Sequence, residues 1–443
     1  MNRSLDNRIW SIAWPAIVAN ISIPLLGLVD AALLGHLDSP AHLGAVAIGS
    51  AVLSFLYWGF GFLRMGTTGA VARAMGQADA PAALLALARA TLLALAIAAL
   101  LLLLRAPLLG MGLAIMDPEP QLAALARRYG ELRLLSAPAV LSTYTVVGWC
   151  IGRQDTRWPM RIVILTNGAN ILLDWLFITV FGWASAGAAA ATVIAEYLGL
   201  ALALLALWQR RPRRPLRGLL RELAAPRGYL ALLRSNLRLF LRTLTLLFAF
   251  AFFTAAGERL GAQVLAANAV MIQFLLFAAF ALDGFAYAAE GLAGEALGAG
   301  DVPRFHRVAR RCGRWSAAAA LLISATILAG HPWLLPLLTD IAGVLDVMRA
   351  HSLWLVALPL LAAPSYLLDG LFIGAGATRA MLIGMLLSAG GVYLPLWYLT
   401  QAWGNHGLWL SFALFNAARG ATLAWYYLRF TRRGSWAGAA PAA

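Results

Sequence analysis

The sequence contains no lysine at all, and its 34 basic residues are therefore all arginine. A glycine-rich, phosphate-cradling loop closes on a lysine, so primary pumping driven by nucleotide hydrolysis in this polypeptide is not expected. Cysteine is nearly absent too. Cys150 and Cys312 are too few for a disulfide framework or a cysteine metal cluster, and no metal or cofactor is anticipated. Neither His-Glu-x-x-His nor Asp-Asp-x-x-Asp occurs, which argues against an intramembrane enzyme with a metal-assisted reaction. Charge of either sign is sparse, at 12% of residues, and the surface of a water-soluble domain of this length could not be covered with so little.

What fills the chain instead is 62% hydrophobic residues with mean hydropathy +0.78, the composition of a polytopic membrane protein. Its apolar stretches run about 20 residues or more, enough to cross a hydrocarbon core of roughly 30 Å as helix. They are rich in Leu and Ala and do not alternate with polar residues, which excludes a β-barrel and makes the fold all-α. Twelve spans are expected, at 9–35, 43–66, 82–104, 122–151, 158–181, 186–208, 236–256, 264–288, 306–330, 350–374, 379–400 and 406–429.

The first half recurs in the second at an offset of 222 residues: Gly69, Gly76 and Asp79 return as Gly291, Gly298 and Asp301. Tyr144, Gly148, Ile151, Gly152, Thr156 and Arg157 return as Tyr366, Gly370, Ile373, Gly374, Thr378 and Arg379. One offset held over loops and spans alike means duplication of a large unit. Six spans fall in each copy, an even number, so both copies enter the membrane with the same orientation and their pseudo-two-fold runs along the membrane normal. The expected organisation is a six-helix bundle over 1–208, an Arg- and Pro-rich cytoplasmic linker over 209–229 and a second six-helix bundle over 230–443.

A net charge of +15 raises the question of a nucleic-acid partner, but the arginines gather in alternate loops, as the positive-inside rule requires of a cytoplasmic-membrane protein. Clusters at Arg3 and Arg8, at Arg153 and Arg157, in the linker, at Arg304–Arg314 and at Arg432 and Arg433 place both termini in the cytoplasm, with Arg105, Arg127, Arg128 and Arg349 as exceptions. The polar N-terminus is too short for a cleaved signal, so the first span is expected to serve as its own insertion signal.

Against this apolar background each carboxylate asks for a reason, because one at mid-membrane costs about 2.5–3.5 kcal/mol. Asp30 stands well inside the first span with apolar neighbours on both sides. A carboxyl whose surroundings alternate between dry and wet can take up and release a proton, and Asp30 is a candidate for proton coupling. The fifth span carries Asn167, Asn170 and Asp174, the last two one turn apart on one face, with Asp174 as a second proton-coupling candidate. Thr192 and Glu196 repeat that spacing in the sixth, and together these groups could line a polar pocket. The plainer reading of Asn170 and Thr192 is bonding across helices, commonly worth about 0.6 kcal/mol in membranes.

The second copy repeats neither Asp30 nor Asp174, since the offset lands on Phe252 and Leu396. It holds its own set, Asp283 and Glu290 on one face of the eighth span and Asp369 in the tenth, as candidates for a cation or second proton site. The structural alternative is pairing with Arg242 inside the seventh span. Pro15 and Pro24 both interrupt the first span, and a helix with two such breaks bends easily, so a change at Asp30 could act through that kink.

Trp14-Pro15, Leu28-Val29-Asp30 with Gly35-His36-Leu37, Met65-Gly66-Thr67-Thr68-Gly69, and Asn170 with Asp174 resemble multidrug and toxic compound extrusion (MATE) transporters. In the second half, Leu282-Asp283 through Glu290 and Tyr366 through Gly374 look like the DinF branch of that family, so the resemblance covers essentially the whole chain. It implies a V-shaped pair of six-helix bundles exporting organic cations or amphipathic compounds in exchange for protons or sodium. It implies coupling at Asp30, a proline that bends on protonation at Pro15, and polar-site roles for Asn170, Asp174 and Thr192. The sodium-coupled branch pairs a glutamate within the seventh span with the tenth-span aspartate. Asp369 fits the second, but Glu258 stands at the end of the seventh span, which favours protons. Asp174 is itself a departure from those DinF-branch members that lack it.

The reading is a monomeric, proton-coupled multidrug efflux antiporter in the inner membrane, taking small amphipathic or cationic substrates, with the lipid bilayer and no nucleic acid as partner. Sodium is the alternative ion. The alternative function is a lipid-linked precursor flippase, which Arg64 and Arg242 in the membrane interior would suit; an intramembrane transferase lacks its motifs.

Overall fold

A lipid core offers backbone groups no water to bond, so a chain crossing it by helices must satisfy its peptides within each segment. The computed structural model describes residues 5–35, 40–210, 222–223 and 225–436, and helices dominate them. In the first copy these are α1 (Leu5–Gly35), α2 (Pro40–Gly59), α3 (Phe62–Gly76), α4 (Ala80–Leu103), α5 (Arg105–Met116), α6 (Pro120–Leu134), α7 (Ala137–Gly152), α8 (Arg157–Asp174) and α9 (Ala184–Arg210). The second copy has α10 (Pro226–Arg259), α11 (Ala262–Gly298), α12 (Val302–Leu334), α13 (Ala342–Ala375), α14 (Thr378–Ser388), α15 (Leu394–Thr400) and α16 (Asn405–Arg432).

Among the described residues nine helices are long and apolar enough to cross a membrane, and α6 with α7, bent by 50°, makes a tenth. With α1 and α16 the helical rods number the twelve expected. α16 is less apolar because Asn416 and Arg419 sit in its middle, and both are buried against protein. The short α5 has no counterpart among the expected spans. The second span also runs further than anticipated, breaking at Phe60–Gly61 and continuing as α3 to Gly76. Most of the linker lies outside the described residues.

Contacts divide the chain into two compact units, one of residues 18–71 and 79–232, the other of 1–17, 72–78 and 233–443. In the first, α7 lies so close to α3 that Gly148 and Gly152 face the carbonyls of Arg64 and Thr68, leaving no room for a side chain. In the second, Gly370 and Gly374 of α13 face the carbonyls of Ala286 and Glu290 on α11, the same four positions moved by the 222-residue offset. The duplicated glycines are thus duplicated helix crossings, where close backbone approach admits no Cβ. The duplicated aspartates are duplicated caps: Asp79 accepts from the Ala82 N–H at 2.9 Å to start α4, and Asp301 accepts from Arg304 N–H at 2.8 Å to start α12. A proline follows each cap in the first turn, where its missing N–H costs nothing.

The last turn of α3 belongs with the second unit and crosses the end of α11. Gly76 meets the carbonyl of Glu295 while Gly298 meets the carbonyl of Arg73, so each residue touches the repeat mate of the other's neighbour. That reciprocity is the signature of a local two-fold relation. Ala72 and its own repeat mate Gly294 touch each other between these contacts.

Gly76→Ala and Gly298→Ala are each expected to lower stability by about 1–3 kcal/mol, because the added methyl must displace backbone. Gly168→Ala, which meets nothing within 4 Å, should stay within roughly 0.5 kcal/mol of the parent. Thermal unfolding of the purified variants in detergent distinguishes the two classes.

Candidate functional site

In the first unit, Asn170 and Asp174 of α8 fall one turn apart and are 1% and 0% exposed. The Asn170 amide donates to an Asp174 carboxylate oxygen, so the two form a direct pair. Asn170 Oδ1 is buried and accepts no hydrogen bond among the described residues. Asp174 is also the point at which α8 gives way to a π-helical turn, Trp175–Val180, a local widening that is frequent at functional positions. One turn earlier, Asn167 donates to the carbonyl and hydroxyl oxygens of Ser22 at 3.3 and 3.2 Å, tying α8 to α1.

Thr192 and Glu196 stand one turn apart on α9. The Thr192 hydroxyl donates to the Ala188 carbonyl of its own helix at 2.9 Å. Glu196 lies in the field of Arg133 and Tyr57. Arg133 donates to the Ser136 hydroxyl at 3.3 Å, next to the α6–α7 break, and Ser136 lies 3.5 Å from the Tyr57 hydroxyl. This second polar cluster was not anticipated, because the arginine and tyrosine come from spans that sequence spacing does not connect.

Asp30 is placed on α1, but its side chain lies outside the described residues. His36 and Leu37 are outside them as well. Pro15 and Pro24 both lie within α1, which is helical from Leu5 to Gly35. Between them, after Ile17, the contacts of α1 pass from one compact unit to the other. Before that point Asp6 accepts from Trp315 Nε1 at 3.1 Å, Arg8 pairs with Glu295 at 2.8 Å and Trp10 packs edge-on against Phe285 and Trp315. Beyond it lies the Ser22–Asn167 contact.

In the second unit Asp369 of α13 is gripped by two guanidiniums. Arg242 of α10 bonds to Oδ2, and Arg419 of α16 reaches the same oxygen at 2.9 Å. The side chains are 6%, 12% and 4% exposed for Arg242, Asp369 and Arg419, so the charges are compensated by one another and not by water. Arg419 also donates to Asn416 at 3.0 Å and stands over the rings of Tyr366 and Phe415. Asp283 shares the electrostatic neighbourhood of Arg242 and Tyr366. With both carboxylates ionised the cluster is neutral, and the bonds of Asp369 tie three helices together. The pairing of Asp369 with Arg242 is the structural alternative already considered; Arg419 was missed, although Asn416 and Arg419 at i, i+3 in a span were its signal. Glu290, two turns beyond Asp283 on α11, is 2% exposed.

The family described as MatE matches residues 15–176 and 239–399, one stretch in each copy. The DNA damage-inducible protein F of Escherichia coli is 40% identical over 434 residues, covering 98% of this chain and 94% of that protein. Protein DETOXIFICATION 44, chloroplastic, of Arabidopsis thaliana is 27% identical over 97% of this chain and 83% of its own length. Among solved structures, an outward-facing multidrug resistance MATE transporter superposes with a TM-score of 0.85 at 20% identity, covering 98% of this chain and 97% of that one. A Vibrio cholerae MATE transporter does so with 0.86 at 24% identity, covering 98% of each. The structural likenesses establish the twelve-helix fold.

Removing the carboxylate leaves two buried guanidiniums with Asp283 as their one nearby counter-charge, so Asp369→Asn should destabilise by about 3–5 kcal/mol. Arg419→Met keeps the Arg242–Asp369 pair and should cost less than half as much. Midpoints of thermal unfolding in detergent test the order; an Asp369→Asn protein as stable as the parent would show that the triad is not the lock described.

Proposed function

The chain belongs to the MatE family, and from that premise we propose that it is a secondary antiporter exporting cationic or amphipathic organic compounds in exchange for protons. Its relatives are transporters and not enzymes, and it is a multi-pass membrane protein handling small molecules. The proposal extends to the ion, the residues and the location. The protein resides in the cytoplasmic membrane as a monomer with both termini inside, in keeping with its arginine-rich alternate loops.

The observation that carries protons over sodium is the state of Asp369. A sodium ion binding there would have to share one carboxylate with Arg242 and Arg419, two cations already tethered to it. Arg242 being taken up in this way also speaks against the flippase reading, which needs a cationic residue free to meet a pyrophosphate. Coupling then falls to the first copy, at Asp30 and at Asp174 with its partner Asn170. Substrate and proton compete for these groups, Asn170 Oδ1 offering an acceptor to an ammonium or hydroxyl donor. Asn167 through Ser22 links this face of α8 to the helix that carries Asp30, Pro15 and Pro24, so a proton arriving on α1 can alter the pair. One proton moving down 100 mV releases about 2.3 kcal/mol, enough for tens-fold accumulation.

In inside-out vesicles energised by respiration, a cationic dye substrate should collapse part of the pH gradient in the parent and not in Asp30→Asn. Asp174→Asn is expected to reduce the effect about tenfold or more with normal membrane abundance. An Asp30→Asn protein indistinguishable from the parent, or transport that follows an imposed sodium gradient without a proton gradient, overturns the coupling assignment.

A further inference from the structure

At the start of α12, five arginines occupy the first four turns: Arg304, Arg307, Arg310, Arg311 and Arg314. With Arg8 and Leu5 of α1 they line a groove of about 510 Å³. Two carboxylates serve it. Asp6 pairs with Arg311 at 3.3 Å, and Glu295 pairs with both Arg8 and Arg304, at 2.8 and 2.7 Å. Among the described residues Arg307, Arg310 and Arg314 have no carboxylate within salt-bridge distance, and all three are exposed to the groove. Like charges three and four residues apart on a helix repel, so this face carries an unfavourable arrangement that an anion would relieve. The positive-inside rule accounts for arginines in a loop, but not for their collection around one concavity shared by two helices.

The same stripe continues along α12. From Arg307 and Arg314 the next steps of seven residues reach Leu321 and Leu328, which are 60% and 53% exposed. Guanidiniums therefore pass directly into uncovered leucine along one line of a membrane-spanning helix. We propose that this groove seats the phosphate of an anionic phospholipid, with its acyl chains lying along Leu321 and Leu328. Forked guanidiniums bind phosphate oxygens in pairs, and basic pockets between membrane helices at the surface suit such headgroups. The leucine continuation is what favours a lipid over a free phosphate, which would gain nothing from it. A headgroup held there contacts α1 and α12 together, and so rests against the helix on which Asp30 lies.

The test uses the full-length protein in a neutral detergent, with unfolding midpoints measured against added phosphatidylglycerol, phosphatidylcholine or sodium pyrophosphate. Phosphatidylglycerol should stabilise the parent and phosphatidylcholine should not. Arg307→Gln/Arg310→Gln/Arg314→Gln should weaken the apparent lipid affinity on the order of 100-fold, about fivefold per charge. Arg105→Gln/Arg157→Gln/Arg432→Gln, which removes equal charge outside the groove, should keep it. Leu321→Gln/Leu328→Gln should weaken the lipid response with every arginine in place, which keeps the proposal testable if the triple variant is poorly folded in phosphatidylcholine. Equal loss in the two arginine variants means general surface attraction and overturns the site. Stabilisation by pyrophosphate matching that by phosphatidylglycerol, or no response in the parent, overturns the lipid assignment.

Discussion

The constraint on which everything else rests is the price of an unpaired polar group in hydrocarbon. Every backbone amide between the loops must be satisfied inside its own helix, and every charge that enters must be met by another part of the protein. Helices that must also pack without a hydrophobic driving force between them can do so by bringing backbones close, which demands glycine. The crossings at Gly148, Gly152, Gly370 and Gly374 answer that demand, and the Arg242–Asp369–Arg419 group answers the demand on charge. Both are consequences of the same solvent.

Duplication separates these two answers. The crossings and the caps of Asp79 and Asp301 obey the repeat because their function is geometric, and geometry is what the copies share. The ionisable residues break it. Asp174 has Leu396 as its mate, Asp369 has Val147, and at the crossing of α3 with α11 Arg73 has Glu295. A two-fold copy of a buried carboxylate would need a second set of compensating partners, and each copy has instead kept the charges it can balance. In the second unit the balance is internal. In the first, the Asn170 amide donates to Asp174 from one turn away on the same helix.

This division also governs what could be read from sequence. Helical spans announce themselves by length and composition, and the repeat by one offset, so the rods and their crossings were legible before any coordinates. Asn170 with Asp174 was legible because the partners lie one turn apart. The grip of Arg419 on Asp369 was not, since it joins residues 50 apart on helices whose facing sides no periodicity reveals. The same holds for Glu196, whose field comes from Arg133 and Tyr57. The 50° bend between α6 and α7 had a sequence signal, Pro138 in the first turn of α7.

α1 is where the two halves of the argument meet. Its contacts belong to one unit up to Ile17 and to the other from Val18, and Pro15 and Pro24 stand on either side of that change. A helix so divided cannot stay indifferent to a shift in either set of contacts. Its first turns are pinned by Asp6, Arg8 and Trp10, and its later part carries Ser22, bonded to Asn167, and then Asp30. Proline removes one backbone hydrogen bond at each break, so bending there disrupts less of the helix than bending elsewhere. The proton exchange proposed above needs an element that takes up the proton in one place and transmits strain to another. Among the described spans, α1 is the one that combines an intramembrane carboxyl, two prolines and a division of its contacts after Ile17.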